Sequence, residues 1–285
     1  MVDPAALQRI ASRGWPAVET EPLGPWLLRA AGGFTRRANS ALATEPPDRP
    51  LDEALAHVTQ WYLARGLPAY VQLVQGTALD AELERRGWLP EAPVHVQIAK
   101  LDALRRALGE GHDHDETPGA LGEDPHRDES PRSESPRDES PRDDVAISDL
   151  PDAPWIARYH KACNLHANAL HVLRGGPHVA FATLRGGDPA RARAIGRCVI
   201  VDGWAGFSAI EVDPAHRRRG LATTVMRALT RWAARAGATD AYLQVETDNA
   251  PAIALYARLG FVTHHDYHYR RAPARHERRR PITSS

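Results

Sequence analysis

Apolar and polar positions divide the chain into two patterned parts, with a polar stretch between them. In the second part, strand-like alternation ends at Asp213-Pro214, because proline lacks a backbone N–H and fixes φ. Apolar residues then recur at helical spacing from Leu221 to Ala236, and the pattern stops at Gly237. Residues 240–246 predict another strand, and residues 249–261 predict a helix. The second part therefore has the content of a mixed α/β fold.

The first part predicts a shorter version of the same succession. We expect a strand at Tyr70–Val74, a helix at Leu79–Arg86 that stops at Gly87-Trp88, and a strand at Val94–Ala99. This order repeats that of Tyr242–Phe261, so we interpret the first part as a diverged copy of the second. Further predicted elements are helices at Pro4–Arg13, Leu51–Arg65 and Pro154–Cys163, strands at His178–Leu184, Ala194–Val201 and Gly206–Val212, and a hairpin that joins Trp26–Ala30 to Arg36–Ala43 around Gly32-Gly33.

Residues 109–144 are the polar stretch between the two parts. From Arg127 they contain R-D-E-S-P, R-S-E-S-P and R-D-E-S-P in succession, with many acidic and few apolar residues. Such a segment buries too little surface to offset its ordering entropy, so we expect a disordered acidic linker. His112 and His114 could suggest a metal site, but this composition favours a solvated tract without fixed ligands. We therefore divide the chain into residues 1–108, 109–144 and 145–285, the last with a basic tail.

Composition and charge exclude several classes of protein. The formal net charge of the 285 residues is zero, which argues against a nucleic-acid binder. No apolar run is long enough to span a bilayer, and the N-terminal residues lack the basic-then-apolar order of a signal peptide. Cys163 and Cys198 are too few for a disulfide framework, so we expect a cytoplasmic protein. From the charge and the lack of a long apolar run, we expect neither a nucleic-acid nor a membrane partner.

The turn between the strand and the helix of residues 210–222 carries candidate chemistry. It contains R-x-x-G-x-A, in which small residues let a ligand approach the backbone and several N–H groups point the same way at a helix start. Arg217, Arg218 and Arg219 add positive charge and planar donors, so a pyrophosphate would fit. Taken alone, the pattern is equally compatible with a solvated turn.

A second motif decides between these interpretations. Asn249, Ala252, Tyr256, Gly260 and Phe261 form N-x-x-A-x-x-x-Y-x-x-x-G-F. Together with the R-x-x-G-x-A turn, this motif resembles the GCN5-related N-acetyltransferases over about residues 145–270. The resemblance implies an α/β (α+β) fold with a mixed sheet, in which acetyl-CoA lies where two parallel strands splay apart.

In this interpretation the chain has two such units, and the first is degenerate. In the first unit the place of the phosphate-binding turn is taken by Thr44–Pro50, T-E-P-P-D-R-P, whose prolines remove N–H donors. We therefore expect residues 145–285 to bind acetyl-CoA by themselves. Residues 1–108 would instead have a structural role or shape the acceptor site.

The resemblance also implies which residues contact acetyl-CoA, the cosubstrate. Its pantetheine arm would pair with the strand residues Ile210, Glu211 and Val212. Its pyrophosphate would be held by the turn and the helix start, which comprise Arg217, Arg218, Arg219, Gly220, Leu221, Ala222 and Thr223. The second motif would contact it beyond the splayed strand through Asn249, Ala252 and Tyr256. No metal is implied.

Acetyl transfer to an amine needs a base, an oxyanion donor and an acid. The resemblance implies the backbone N–H of Val212 as the oxyanion donor and Tyr256 as the acid that protonates the departing thiolate. Glu211 is the carboxylate nearest the reacting end and is our candidate base, although an exposed charge or a partner for a nearby arginine is an equal alternative. In the branch of the resembled family that acetylates the N-termini of ribosomal proteins, a glutamate in an L-E-V strand is important. Here Leu243-Gln244-Val245 places an amide at that position, which counts against that branch.

We therefore expect an acetyl-CoA-dependent N-acetyltransferase that acts on a primary amine of a small molecule or peptide by direct attack. The alternative is a module that binds or senses acetyl-CoA without turnover. A purely structural role for both units is disfavoured, because it would not need the phosphate-binding turn, Asn249 or Tyr256.

Overall fold

The computed structural model describes residues 2–109, 145–159, 167–186, 188 and 190–273. Within these ranges the chain forms α-helices on both faces of one β-sheet. The helices are α1 (Pro4–Arg13), α2 (Leu51–Leu63), α3 (Ala78–Arg85), α4 (Leu101–Ala107), α5 (Ala153–Arg158), α6 (Ala167–Arg174), α7 (Leu221–Arg235) and α8 (Ala250–Arg258). The strands are β1 (Glu19–Leu23), β2 (Trp26–Ala30), β3 (Ala41–Leu42), β4 (Tyr70–Val74), β5 (Leu89–Lys100), β6 (Val145–Ser148), β7 (His178–Arg185), β8 (Ala192–Val201), β9 (Trp204–Val212), β10 (Asp240–Glu246) and β11 (Val262–Arg271).

The sheet joins the two units through an exchange of their last strands. Its order is β1-β2-β3-β4-β11-β5-β10-β9-β8-β7-β6. The first unit's β5 lies between β10 and β11 of the second unit and is antiparallel to both. The second unit's β11 in turn lies between β4 and β5, antiparallel to both. The succession β4-α3-β5 therefore repeats β10-α8-β11, and each unit completes the sheet of the other.

Two hydrophobic layers cover the faces of the second unit's strands. On one face α7 packs onto the sheet through Val225, Met226 and Leu229, which are fully buried and share one side of the helix. On the other face α1 places Leu7 and Ile10 against the strands at the centre of the sheet. Burial of one such leucine contributes about 1.5–3 kcal/mol. The helix predicted from the apolar spacing of residues 221–236 is confirmed as α7.

A buried polar cluster joins α3 of the first unit to the exchanged strand β11. The carboxylate of Asp80 accepts hydrogen bonds from Arg270 Nε and Gly76 N at 2.7 and 2.9 Å, and it lies 2.7 Å from His268 Nε2. Desolvation by itself would raise the pKa of Asp80, but these partners outweigh it and lower the pKa. Because breaking such a buried pair costs several kcal/mol, the cluster holds β11 in its exchanged position.

The predicted hairpin around Gly32-Gly33 is confirmed only in part. β2 pairs antiparallel with β3, which keeps Ala41 and Leu42 of the predicted second strand, but it also pairs with β1 across a turn that contains Gly24. Arg36–Ala38, at the start of the predicted second strand, forms a 3-10 helix instead. The cause is Asn39, whose side-chain oxygen accepts from Ala31 N and Gly33 N at 2.8 and 2.9 Å. These bonds give the loop backbone the partners that a strand would otherwise supply.

Other predictions from the pattern had mixed outcomes. The strands at Tyr70–Val74 and Asp240–Glu246 are confirmed at both ends. β11 had no prediction, because its sequence V-T-H-H-D-Y-H-Y-R-R is mostly polar. Residues 110–144 of the proposed linker, with its histidines, and Cys163 lie outside the described residues. No helix in the described part of the chain is long and apolar enough to cross a membrane.

The strand exchange changes our expectation for the isolated second unit. Residues 145–285 lack β5, so the unpaired edges of β10 and β11 would be exposed to water. We expect this fragment to show no cooperative unfolding transition in calorimetry. Co-expression with residues 1–109 should restore a complex that unfolds cooperatively. A cooperative transition of residues 145–285 alone would contradict this prediction.

Candidate functional site

The candidate site begins where β9 and β10 stop pairing. The two strands run parallel from the Trp204–Asp240 pair to the Phe207–Leu243 pair, and their pairing ends there. Beyond this point β9 remains paired with β8, but one residue of β8 faces two residues of β9, which is a β-bulge. Ala209 lies in this bulge with φ of 52°. The bulge bends β9, and a gap opens between β9 and β10.

A cavity of about 360 Å³ occupies this gap. Its walls come from β9 and β10, from the exchanged strands β5 and β11, from α8, and from the loops after α1 and β2. Both units therefore contribute to one cavity. The lining residues used below are Trp15, Arg36, Arg37, Tyr159, Glu211, Gln244, Glu246, Asn249, Ala252, Tyr256, Tyr267 and Tyr269.

The backbone of Val212 is directed toward the gap. Asp213 N donates to Arg193 O at 2.8 Å, which makes these two residues a hydrogen-bonded pair of the antiparallel ladder. Such pairs alternate with non-bonded ones, so Val212 and its partner Ala194 form a non-bonded pair. The N–H of Val212 therefore points away from β8, toward the side on which β10 has diverged.

The turn before α7 presents unused N–H groups. Gly220 is the N-cap of α7 with φ of 76°, and its lack of a side chain leaves the helix start without a side-chain cap. Arg217, Arg218 and Arg219 are exposed, and no ion pair connects them to the part of the chain that the structure describes. The side chain of Leu221 is buried in the core below. Ala222 and Thr223 are partly exposed in the first turn of α7. The arrangement suits an anion.

The structure holds this turn in place through Asp213. Its carboxylate accepts from Ala215 N at 2.9 Å and pairs with Arg158 at the end of α5. The strand end and the helix start are thereby connected to the opposite face of the sheet.

The second motif forms the other wall of the gap. Asn249 is the N-cap of α8, and its Oδ1 accepts from Ala252 N at 3.3 Å. Ala252 lines the cavity one turn before Tyr256. The ring of Tyr256 packs edge-on against Phe261, with 5.9 Å between centroids. Its hydroxyl has no hydrogen-bond partner among the described residues, and desolvation raises its pKa to about 12. The phenol is thus protonated at neutral pH.

Ile210 and Glu211 direct their side chains to opposite faces of β9. Ile210 packs on the α7 side against Val225 and Leu229. Glu211 lines the cavity on the other side, close enough to Tyr159 that its charge adds to desolvation in raising the pKa of that phenol. Glu211 therefore has access to the cavity, as a proton acceptor requires.

Analysis of the sequence did not identify the residues that the first unit contributes. Trp15, Arg36 and Arg37 line the cavity although they lie far from the motif residues in sequence. Tyr267 and Tyr269 of β11 also line it. The one available signal was the repeated strand-helix-strand order, since an exchange of last strands would bring the first unit to this site. Within the described ranges, no group of three or more potential ligands could hold a metal ion.

Comparison with known proteins identifies the family of the chain. The model of the family described as "Probable histone acetyltransferase Rv0428c C-terminal" matches residues 4–96 and 123–270. The chain belongs to this family. The matched residues extend over both units.

Two relatives of this chain are similar over most of its length. The uncharacterized N-acetyltransferase YobR of Bacillus subtilis is 27% identical over 95% of this chain and 99% of its own length. The probable histone acetyltransferase Rv0428c of Mycobacterium tuberculosis is 29% identical over 93% of this chain and 72% of its own length.

Among solved structures, a GCN5-related N-acetyltransferase from Kribbella flavida has a TM-score of 0.65 at 17% identity, covering 97% of this chain and 98% of that one. A tandem GNAT protein from the clavulanic acid biosynthesis pathway has a TM-score of 0.56 at 14% identity, covering 95% and 89%. The predicted tandem GNAT fold is confirmed, and the protein is an N-acetyltransferase.

The bulge can be tested through the backbone of Ala209. Alanine at positive φ is strained by about 1–2 kcal/mol, and glycine is not. We expect Ala209→Gly to leave the free energy of unfolding unchanged or to increase it by about 1 kcal/mol. Ala205→Gly, in the regular part of β9, should decrease it by about 1–2 kcal/mol through backbone entropy and a lost buried methyl group. Urea denaturation measures both, and equal losses would contradict the strained bulge.

Proposed function

We propose that the protein binds acetyl-CoA in the gap between β9 and β10 and transfers its acetyl group directly to a primary amine of a small molecule or peptide. The observation that carries this proposal is the divergence of β9 from β10 beside the uncapped start of α7. A gap between strands can accept an extended arm, and a helix start beside it can accept a phosphate group.

The residues at the gap fit acetyl-CoA as cosubstrate. Backbone groups of Ile210–Val212 would pair with the pantetheine arm, as the direction of the Val212 N–H favours. The turn at Arg217–Gly220 and the first residues of α7, Leu221–Thr223, would hold the pyrophosphate. Asn249 uses its side-chain oxygen for its own helix, so its Nδ2 group remains for the cosubstrate. Ala252 offers a small surface next to it.

The chemistry can be assigned to groups that line or face the cavity. The amine nitrogen attacks the thioester carbonyl carbon, a C–N bond forms, and the C–S bond breaks. Glu211, directly or through water, would take the proton that the ammonium must lose. The N–H of Val212 would donate to the oxygen that gains negative charge. Tyr256 would donate its proton to the departing thiolate.

Direct attack needs no enzyme nucleophile, and the described residues that line the cavity include no cysteine. Cys198 is fully buried outside the cavity, and desolvation raises the pKa of its thiol to about 12. A thiol in this state is a poor nucleophile at neutral pH.

We further propose that residues 1–108 form a unit that does not bind acetyl-CoA. Its own parallel pair, β3 and β4, corresponds to β9 and β10. There the fully buried Arg29 donates to Ser40 Oγ at 3.0 Å and to Gln72 Oε1 at 2.7 Å, and so fills the space beside the pair. Trp26 Nε1 also binds Glu45 O in the proline-rich turn at 2.8 Å.

Cosubstrate binding can be tested at Gly220, with Gly260 as a matched control. Both residues have positive φ, of 76° and 86°, and a Cβ at either would meet no atom within 4 Å. Alanine at either site should therefore lower stability by about 1–2 kcal/mol. We expect Gly220→Ala alone to weaken the Kd for CoA, by roughly tenfold or more, because it alters the phosphate-binding turn. Calorimetry measures the Kd, and equal effects of both variants would refute the assignment.

The proposed role of Tyr256 as the acid can be tested by removing its hydroxyl. Tyr256→Phe keeps the ring against Phe261 but removes the proton. We expect kcat to fall on the order of a hundredfold and the Kd for acetyl-CoA to change little. The thermal transition serves as the control for folding. Turnover by Tyr256→Phe at the parental rate would remove this residue from the mechanism.

A further inference from the structure

The 3-10 helix Arg36–Ala38 of the first unit lies at the wall of the cavity, across from the motif residues. The preceding residue, Thr35, also lines the cavity and has φ of 55°, an uncommon conformation for a threonine. This backbone is held by Asn39, whose Nδ2 donates to the carbonyl oxygens of Phe34 and Thr35 at 2.9 and 2.8 Å. Two adjacent arginines are thereby placed at a cavity that belongs to the other unit's chemistry.

The two arginines differ in how their charge is balanced. Arg36 lies 3.3 Å from a carboxylate oxygen of Glu91 and stacks over the rings of Tyr70 and Tyr269, at 5.1 and 5.4 Å. Arg37 lies over the ring of Trp15 at 4.5 Å, and no carboxylate of the described residues is within ion-pair distance of it. Arg37 is half-buried, so its charge is partly removed from water without a counter-ion. A half-buried, unbalanced guanidinium at a cavity wall favours an anionic ligand.

A second donor accompanies Arg37. Its Nη1 donates to Oε1 of Gln244 at 2.5 Å, and the hydroxyl of Tyr267 is 3.1 Å from the same oxygen. Because a guanidinium can only donate, this contact fixes which end of the Gln244 amide faces it. The amide Nε2 is buried and has no hydrogen-bond partner within the described part of the structure. Gln244 lines the cavity, so a ligand that accepts hydrogen bonds there would supply the missing partner.

The opposite charge is found on the strands that form the gap. Glu211 and Glu246 line the cavity from β9 and β10. Desolvation has the largest effect on the pKa of the Tyr159 hydroxyl and raises it. The nearby charge of Glu211 raises this pKa further, and the charge of Arg37 lowers it. One cavity therefore presents a carboxylate near the reacting end of β9 and an unbalanced guanidinium on the wall from the first unit. This distribution complements a molecule with an ammonium at one end and a carboxylate at the other.

We propose that the amine acceptor carries a carboxylate, as in a free amino acid or a short peptide with a free C terminus, and that Arg37 binds this carboxylate while the amine lies toward Glu211. The inference rests on the proposed acetyl transfer and adds the class of acceptor. The cavity volume of about 360 Å³ is that of a small-ligand site. Gln244 would add its Nε2 hydrogen to the carboxylate.

Matched acceptors test this inference on the full-length protein. We would assay L-amino acids against their primary amides, together with a lysine-rich peptide whose C terminus is amidated, and follow CoA release with a thiol-reactive chromophore. Each acid should be acetylated with a kcat/KM at least roughly tenfold above that of its amide, because the amide cannot form the charge-assisted contact between a carboxylate and Arg37. Calorimetric titration of the same pairs into the CoA-bound protein gives the comparison for acceptors that do not turn over.

Variants of the two arginines identify the residue responsible. Arg37→Gln should reduce the acid-to-amide ratio to about one, and Arg37→Lys should keep part of it. Arg36→Gln is the control, since its charge is already paired with Glu91 and its loss should change the ratio much less. The thermal transition of each variant reports on folding.

The outcomes are separable from those of the proposed function. Equal use or binding of acids and amides, a preference for the lysine-rich peptide, or an acid preference that survives Arg37→Gln would refute the role of Arg37 while acetyl transfer still stands. Absence of CoA binding by the wild-type protein would instead refute the proposed function and, with it, this inference.

Discussion

The exchange of β5 and β11 is the constraint on which the rest of the structure depends. The N–H and C=O groups of an unpaired strand edge must form hydrogen bonds with water or with another strand. In each unit, one position in the sheet is filled by the last strand of the other unit. The antiparallel ladders of β5 with β10 and β11 are among the longest in the sheet. The two units therefore share backbone hydrogen bonds rather than a surface contact, which makes their relative position a property of the sheet.

Buried arginines reinforce this shared structure. Arg197 of β8 donates to the carbonyl oxygens of Gly14, Leu173 and Gly175 at 2.9, 2.7 and 2.7 Å, and so connects the loop after α1 to the end of α6. Desolvation lowers its pKa to about 10, which leaves it charged at neutral pH. Carbonyl groups at the ends of helices are suitable partners for such a charge. The same side chain lies under Trp15, which supports Arg37 in the cavity.

The cavity is a consequence of these two features. The bulge at Ala209 opens the gap within the second unit, and the exchange adds β5, β11 and the loops of the first unit to the cavity wall. The first unit, in which the buried Arg29 donates to Ser40 and Gln72, thus contributes to the cavity of the second.

The sequence by itself determined the family and most regular elements, and it predicted the residues that would contact acetyl-CoA, because all of these depend on local spacing. Helical periodicity predicted α7, and proline and glycine marked the turn before it. The motif residues from Asn249 to Phe261 match the family pattern at every spacing. Only the tertiary structure decided the strand exchange and which residues of the first unit line the cavity. β11 is too polar to show strand alternation, and the bonds of Asn39 accompany a 3-10 helix at Arg36–Ala38, where local pattern predicted the start of a strand. Arg37 contacts Gln244 across 207 positions of the chain. Contacts at such separation arise from strand order, which local pattern does not encode.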